Sequence, residues 1–242
     1  MKHLTLIAAL ALGLSFPLSA ENAPQRQIYI IVEYIEVEGS LYHDWMFENR
    51  ITGEGHRLRE AAQGWLKDRK ASVIETSIVT ARSGQRAKTE SLRERIYPSE
   101  PGVPGVPNEV DLDGSKTTPP LERSIPTAFK TRDVGTTLEV DPVIGADDVT
   151  IDLNLSSEII RENGMLDWPP DNAIPFFTVS LPRFYTMKTT TQVTVRNGRY
   201  ALLGTCRPLE SAEKKRKNPI VLIFARGDIG SIESPSEEPS QE

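Results

Sequence analysis

The chain has 242 residues, 38% of them apolar, and carries 28 Lys and Arg against 34 Asp and Glu, a formal net charge of −6. That acidic balance lacks the basic footprint of a nucleic-acid binder, so no nucleic-acid partner is expected. A single cysteine, Cys206, excludes an intramolecular disulfide, and stability must come from a core and its hydrogen bonds.

Residues 1–20 read as an export signal. Lys2 and His3 are followed by an apolar run over 4–14 and by Leu18, Ser19 and Ala20, a small-residue cleavage site. No later apolar run reaches the ~18–20 residues of a membrane helix. Barrel strands need only ~10 alternating residues, so this does not bear on a β-barrel.

Residues 27–38 carry the strongest strand signal, rich in β-branched and aromatic side chains. Ile28, Ile30, Val32 and Tyr34 share one face, while Tyr29, Ile31, Ile35 and Val37 share the other, so the start of the strand is expected to be buried on both sides. An amphipathic helix is predicted over 56–68, where Leu58, Ala61, Ala62, Trp65 and Leu66 form one apolar stripe. Strands at 71–81 and 85–97 flank Arg82-Ser83-Gly84, a connection suited to a hairpin.

Residues 98–126 hold seven of the 18 prolines. Proline removes ladder donors, so a solvated loop is expected there. Strands resume at 136–143 and 149–155, around a turn that includes Asp147 and Asp148. Residues 158–170 read as irregular, and 175–183 with 185–195 as a further strand pair. Asn197-Gly198 suits a two-residue hairpin joining 189–195 to 200–203. The basic run 214–217 reads as a solvated loop, and 219–225 as a buried strand. The Ser, Glu and Pro of 231–242 cannot build a core, so a disordered acidic tail is expected.

Candidate chemistry is sparse. His43 and His56 are the only histidines after residue 20, too few for a metal cluster. Neither has an identifiable nucleophile partner, and Cys206 lacks a supporting motif. Gly53-Glu54-Gly55 is too short for a phosphate-binding fingerprint. The Asp147-Asp148 turn supplies too few ordered oxygen ligands for calcium. The expectation is a protein without an enzymatic activity, a cofactor or a metal.

Two alternating stretches, 132–158 and 189–204, resemble in order and spacing the C-terminal domain of the secretins, ring-forming outer-membrane channels of type II and III secretion and type IV pili. The resemblance implies a mainly β, antiparallel domain over 21–230 with one short helix near 56–68. It also implies an exported envelope protein that self-associates, with possible secretion-system or pilotin-like partners and possible membrane association. On this reading Gly135, Thr136 and Leu138 open a barrel-wall strand. Asn197 and Gly198 mark a hairpin, and Gly204 the point where the chain leaves it.

The chain departs from the family pattern in two ways. After Gly204 the family has a Pro-, Leu- and Gly-rich stretch associated with the membrane, whereas here 205–218 is short and charged. Lys or Arg near a bilayer centre costs roughly 2–4 kcal/mol each. The ring-building domains that precede the secretin domain in the family are also expected to be missing. The alternative expectation is therefore a soluble periplasmic binding or structural module that keeps the sheet without a pore.

Overall fold

Doubly apolar β1 (Arg26–Val37) takes the centre of a four-stranded antiparallel sheet. Its neighbours are β2 (Ala71–Arg82) on one side and β8 (Ile220–Ser231) on the other, with β7 (Tyr200–Cys206) beyond β8. A second antiparallel sheet has the order β3 (Ala87–Pro101), β4 (Pro126–Ile144), β5 (Thr150–Trp168), β6 (Val179–Arg196). The computed structural model describes residues 26–49, 55–101, 126–168, 179–209 and 216–231. The expected export signal, most of the proline-rich loop and the acidic tail beyond Ser231 lie outside the described residues.

The two faces of β1 build two cores. Ile28, Ile30, Val32 and Tyr34 pack between the sheets against Leu138, Val140, Ile151, Leu153 and Leu155. Ile35 and Val37 face the other way, joining Leu58, Ala62, Leu222 and Phe224 beneath the helices. Two-sided burial falls in the second half of the strand rather than at its expected start: Tyr29 is exposed and Ile31 only half-buried, because the helix-side core covers β1 only farther along, at Ile35 and Val37. Gly227 on β8 lets the sheets close, because a Cβ there would lie 2.6 Å from Ile151 Cδ1.

The predicted helix is α2 (His56–Lys67), its Leu58 and Ala62 buried on the first sheet. A second helix, α1 (Gly39–Glu48), precedes it. Its Tyr42 and Trp45 join the helix-side core while Phe47 is almost wholly exposed, so its apolar residues form no single stripe.

Both predicted hairpins at Gly84 and Asn197 instead carry the chain from one sheet to the other. Gly84 (φ +74°) donates its N–H to the Pro142 carbonyl, and Ser83 Oγ accepts from the Ile144 N–H. Gly198 (φ +73°) donates to the Gly227 carbonyl, and Asn197 Oδ1 accepts from the Ile229 N–H. Only Gly198 of this pair has positive φ, so the two-residue turn that needs it at both positions does not form. Partners from the opposite sheet decide the direction of the chain.

The 145–148 turn does join paired strands. Asp147 accepts from the Val149 and Thr150 N–H groups and from Thr150 Oγ1. Two further expectations are corrected. Residues 158–168 are strand rather than irregular, because β5 stays paired with β6 to Trp168 across a register shift after Glu162. The pair expected around 183–185 is one continuous strand, since Arg183 and Phe184 lie inside β6.

Of the basic run, Arg216 and Lys217 are among the described residues; Lys217 is exposed, as expected of a solvated loop, but Arg216 is not. Arg216 reaches Glu36 on β1 at 3.1 Å, with side-chain exposures of 6% and 0%. The same Nη1 donates to the Ser72 hydroxyl at 2.6 Å. On the helix side of β1, Arg59 holds the buried Glu33 carboxylate at 2.6 and 3.1 Å. Two carboxylates on the central strand are thus neutralised, one from α2 and one from the β7–β8 connection.

Candidate assembly interface

Beyond Gly135 the four-stranded sheet opens. β4 pairs with β5 only from Gly135 to Ile144, while β3 continues with β4 and β5 with β6 as two separate arms. Gly135 sits at that parting point with φ +146°, and a Cβ there would lie 1.9 Å from the Ser91 carbonyl oxygen. Only glycine tolerates this conformation at this approach.

The arms stack rather than splay. Tyr97 on one contacts Phe184 on the other at 5.6 Å between ring centroids, and the Arg132 guanidinium lies 5.1 Å over the same Phe184 ring. Arg95 and Glu162 approach to 3.4 Å. The β5–β6 arm in turn touches the first sheet, where Arg161 donates to the Ile74 carbonyl and Tyr185 to that of Arg207.

The six residues singled out by sequence do not form one site. Leu138 is fully buried in the inter-sheet core, and Thr136 donates its hydroxyl to Glu75 on β2. Gly135 sets the parting of the arms. Asn197 and Gly198 form the corner described above. Gly204 lies in β7 just after a register shift, with open space where a Cβ would go. The six positions are spread over both sheets.

Sequence reasoning named no edge residues, yet the edges are the distinctive surface. The outer edge of β2 meets the β5–β6 arm through Ile74, and Glu75 beside it accepts from Thr136 in the body of the second sheet. β7 is pressed by Gly55, where a Cβ would lie 2.2 Å from the Leu202 nitrogen. On the outer edges of β3 and β6, by contrast, no described strand pairs. Pro142 O and Ile144 N face β3, which fixes the alternation across the sheet. It follows that the even-numbered residues of β3 and β6 direct their peptide groups outward.

The sheet face opposite the core is largely polar. Asp141, Asp152, Asn154, Gln192 and Thr194 line a shallow depression of about 420 Å³, and Thr194 donates to Asp152 at 2.6 Å. Glu158 and Lys188 lie farther along the same face, 3.5 Å apart.

Two titratable groups inside the molecule are shifted by their burial. Tyr34 donates to Ser157 Oγ at 2.9 Å, and burial raises its pKa above the ordinary tyrosine value. Burial likewise raises that of Cys206, which keeps the thiol protonated. His43 sits exposed on α1 beside Tyr42, and His56 stacks on Tyr200 at the start of α2. Tyr200 also lies under the guanidinium groups of both Arg59 and Arg226, clasping α2 to the sheet.

No family model matches the chain, and no curated protein sequence matches it. Among solved structures it is similar to the InvG secretin-domain β-barrel of the Salmonella SPI-1 injectisome, with 11% identity and a TM-score of 0.43. That match covers 90% of this chain and 66% of InvG. It is also similar to the V. cholerae type IV competence pilus secretin PilQ, with 13% identity over 87% of this chain and 62% of PilQ at TM-score 0.43. A third is the E. coli K12 type II secretion system secretin GspD, at 12% identity, TM-score 0.37, and 85% and 50% coverage. The chain thus spans about two thirds or less of the chains it matches.

Proposed function

We propose that this chain is an exported, secretin-like envelope protein that acts by self-association, as a component of a secretion or pilus-type outer-membrane assembly. The observation that carries the reading is the second sheet, whose two outer strands are long and antiparallel to each other. Their outward peptide groups are templates for another strand. A ring in which β3 of one copy meets β6 of the next would close every such edge. The role is architectural and involves no bond-breaking chemistry. Full-length protein extracted in mild detergent should scatter light as a multimer and form rings under the electron microscope. A monomer without rings refutes the assembly.

One observation favours a second reading, a soluble periplasmic module without a pore. The outer face of the second sheet is largely polar, and among the described residues the exposed large apolar side chains of the β3–β4 arm, Leu92, Ile96 and Phe129, are scattered. Membrane fractionation separates the two, because a soluble module leaves with a carbonate wash.

A further inference from the structure

The sequence of the two open edges assigns how neighbouring copies fit together. We infer that β3 of one copy pairs antiparallel with β6 of the next in a single register, with Glu94 of β3 opposite Lys188 of β6. This rests on the self-association reading above and adds the register to it.

Three independent features select that register. The first is geometric. Within one copy Glu90, Thr137, Glu158 and Lys188 lie level across the four strands. A closed barrel needs tilted strands, and an eight-stranded barrel tilted by about 36° carries a shear of about eight. Four strands per copy therefore contribute a stagger of about four residues. From the level pair, Lys188 moves from opposite Glu90 to opposite either Glu94 or Arg86.

The second feature is charge. Glu94 and Lys188 are both exposed and lie on the same, solvent-side face of the sheet. Opposed across a junction they attract, and Lys188 would sit between Glu94 of the neighbour and its own Glu158. The opposite stagger places Lys188 against Arg86, a like charge just before the first residue of β3.

Proline placement is the third. Even-numbered residues donate outward, and both edges carry an even-numbered proline, Pro98 on β3 and Pro182 on β6. With Glu94 opposite Lys188, pairing runs from Ala87 opposite Val195 to Ile96 opposite Thr186 without meeting a proline. Each outward-facing pair there exchanges two hydrogen bonds, roughly ten over the junction. On the core-side face Thr89 meets Val193 and Ser91 meets Thr191. The opposite stagger instead sets Pro182 against Leu92 in mid-ladder, where a donor is missing.

Disulfide trapping reads the register directly. In a full-length Cys206→Ser background, Glu90→Cys with Gln192→Cys probes the assigned register. Glu90→Cys with Lys188→Cys probes the unstaggered one, and Glu90→Cys with Phe184→Cys the opposite stagger. Opposed strand positions of this kind fall within the Cα separation a disulfide spans, about 4.4–6.8 Å. Mild oxidation should give a ladder of covalent multimers only with the first pair, reversed by reductant. A ladder from either other pair, or a multimer by light scattering in which none of the three cross-links, overturns the register while leaving self-association standing. A monomer in every variant and in the parent removes the self-association reading itself. As a second readout, Glu94→Lys and Lys188→Glu should each lower the multimer fraction at least several-fold, and the double exchange should restore it. Failure of the double exchange to restore it also counts against the assigned pair.

Discussion

Replacing Gly135 by alanine tests the parting of the two arms. A backbone φ of +146° is a region that side-chain-bearing residues avoid, at about 1–3 kcal/mol. The added methyl would also lie 1.9 Å from the Ser91 carbonyl oxygen, a backbone atom of the paired strand that moves only by disrupting the β3–β4 ladder. Overpacking of that kind costs typically about 1–3 kcal/mol more. Together these give a loss of about 3 kcal/mol or more, roughly a hundredfold in the folding equilibrium. Urea titration at fixed protein concentration, followed by far-UV circular dichroism and by Trp45 and Trp65 fluorescence, measures it. Gly204→Ala is the control, because that position is open and free of positive φ, and it should stay within about 0.5 kcal/mol of the parent. A Gly135→Ala protein as stable as the Gly204→Ala control would refute the assigned role of Gly135.

Four further outcomes are expected. Glu36→Gln and Arg216→Ala should each destabilise by about 3–5 kcal/mol in chemical denaturation, because either leaves an uncompensated buried charge. Replacing both by methionine should recover most of that loss. Tyr34→Phe should cost about 1–2 kcal/mol, and a double-mutant cycle with Ser157→Ala should be non-additive, since the two share one buried hydrogen bond. Gly64→Ala, inside α2 with open space around it, should raise stability by about 0.5–1 kcal/mol in a thermal melt at fixed concentration. Hydrogen bonds from Thr150 and Val149 hold the Asp147 carboxyl below the ordinary aspartate pKa. Its contribution is therefore complete above the unfolded value and is lost as pH falls through the lower folded value. Asp147→Ala should flatten that part of the acid limb of the stability profile, and an NMR titration should find the depressed pKa directly.

Much of the fold was legible because its signals are local. Apolar residues on both faces of β1 announced two-sided burial, though at its start and not in the second half where it falls, and Leu58, Ala62 and Trp65 announced α2. The corners at Gly84 and Asn197 were legible as turns but not as connections between sheets. A turn motif specifies where the chain bends, whereas Pro142 and Gly227, distant in sequence, specify which strand it next pairs with. The 158–168 segment lost its alternation at Arg161-Glu162-Asn163-Gly164, and only pairing with β6 across a register shift keeps it extended. Arg216 looked like part of a solvated cationic run because its partner, Glu36, lies on the other end of the chain. The candidate interface was legible only in part, since an open edge is defined by what does not pair with it in three dimensions. Gly135 was singled out by resemblance, and its positive φ supplies the physical reason for a glycine there.

The central claim is self-association through the open edges of the second sheet, and the mass of the full-length protein in mild detergent tests it most directly. Multi-angle light scattering should return a discrete multimer that falls apart when proline is placed at the outward-facing Glu90 or Gln192. A monomeric mass for the parent protein, across the concentrations at which it is soluble, would contradict the account.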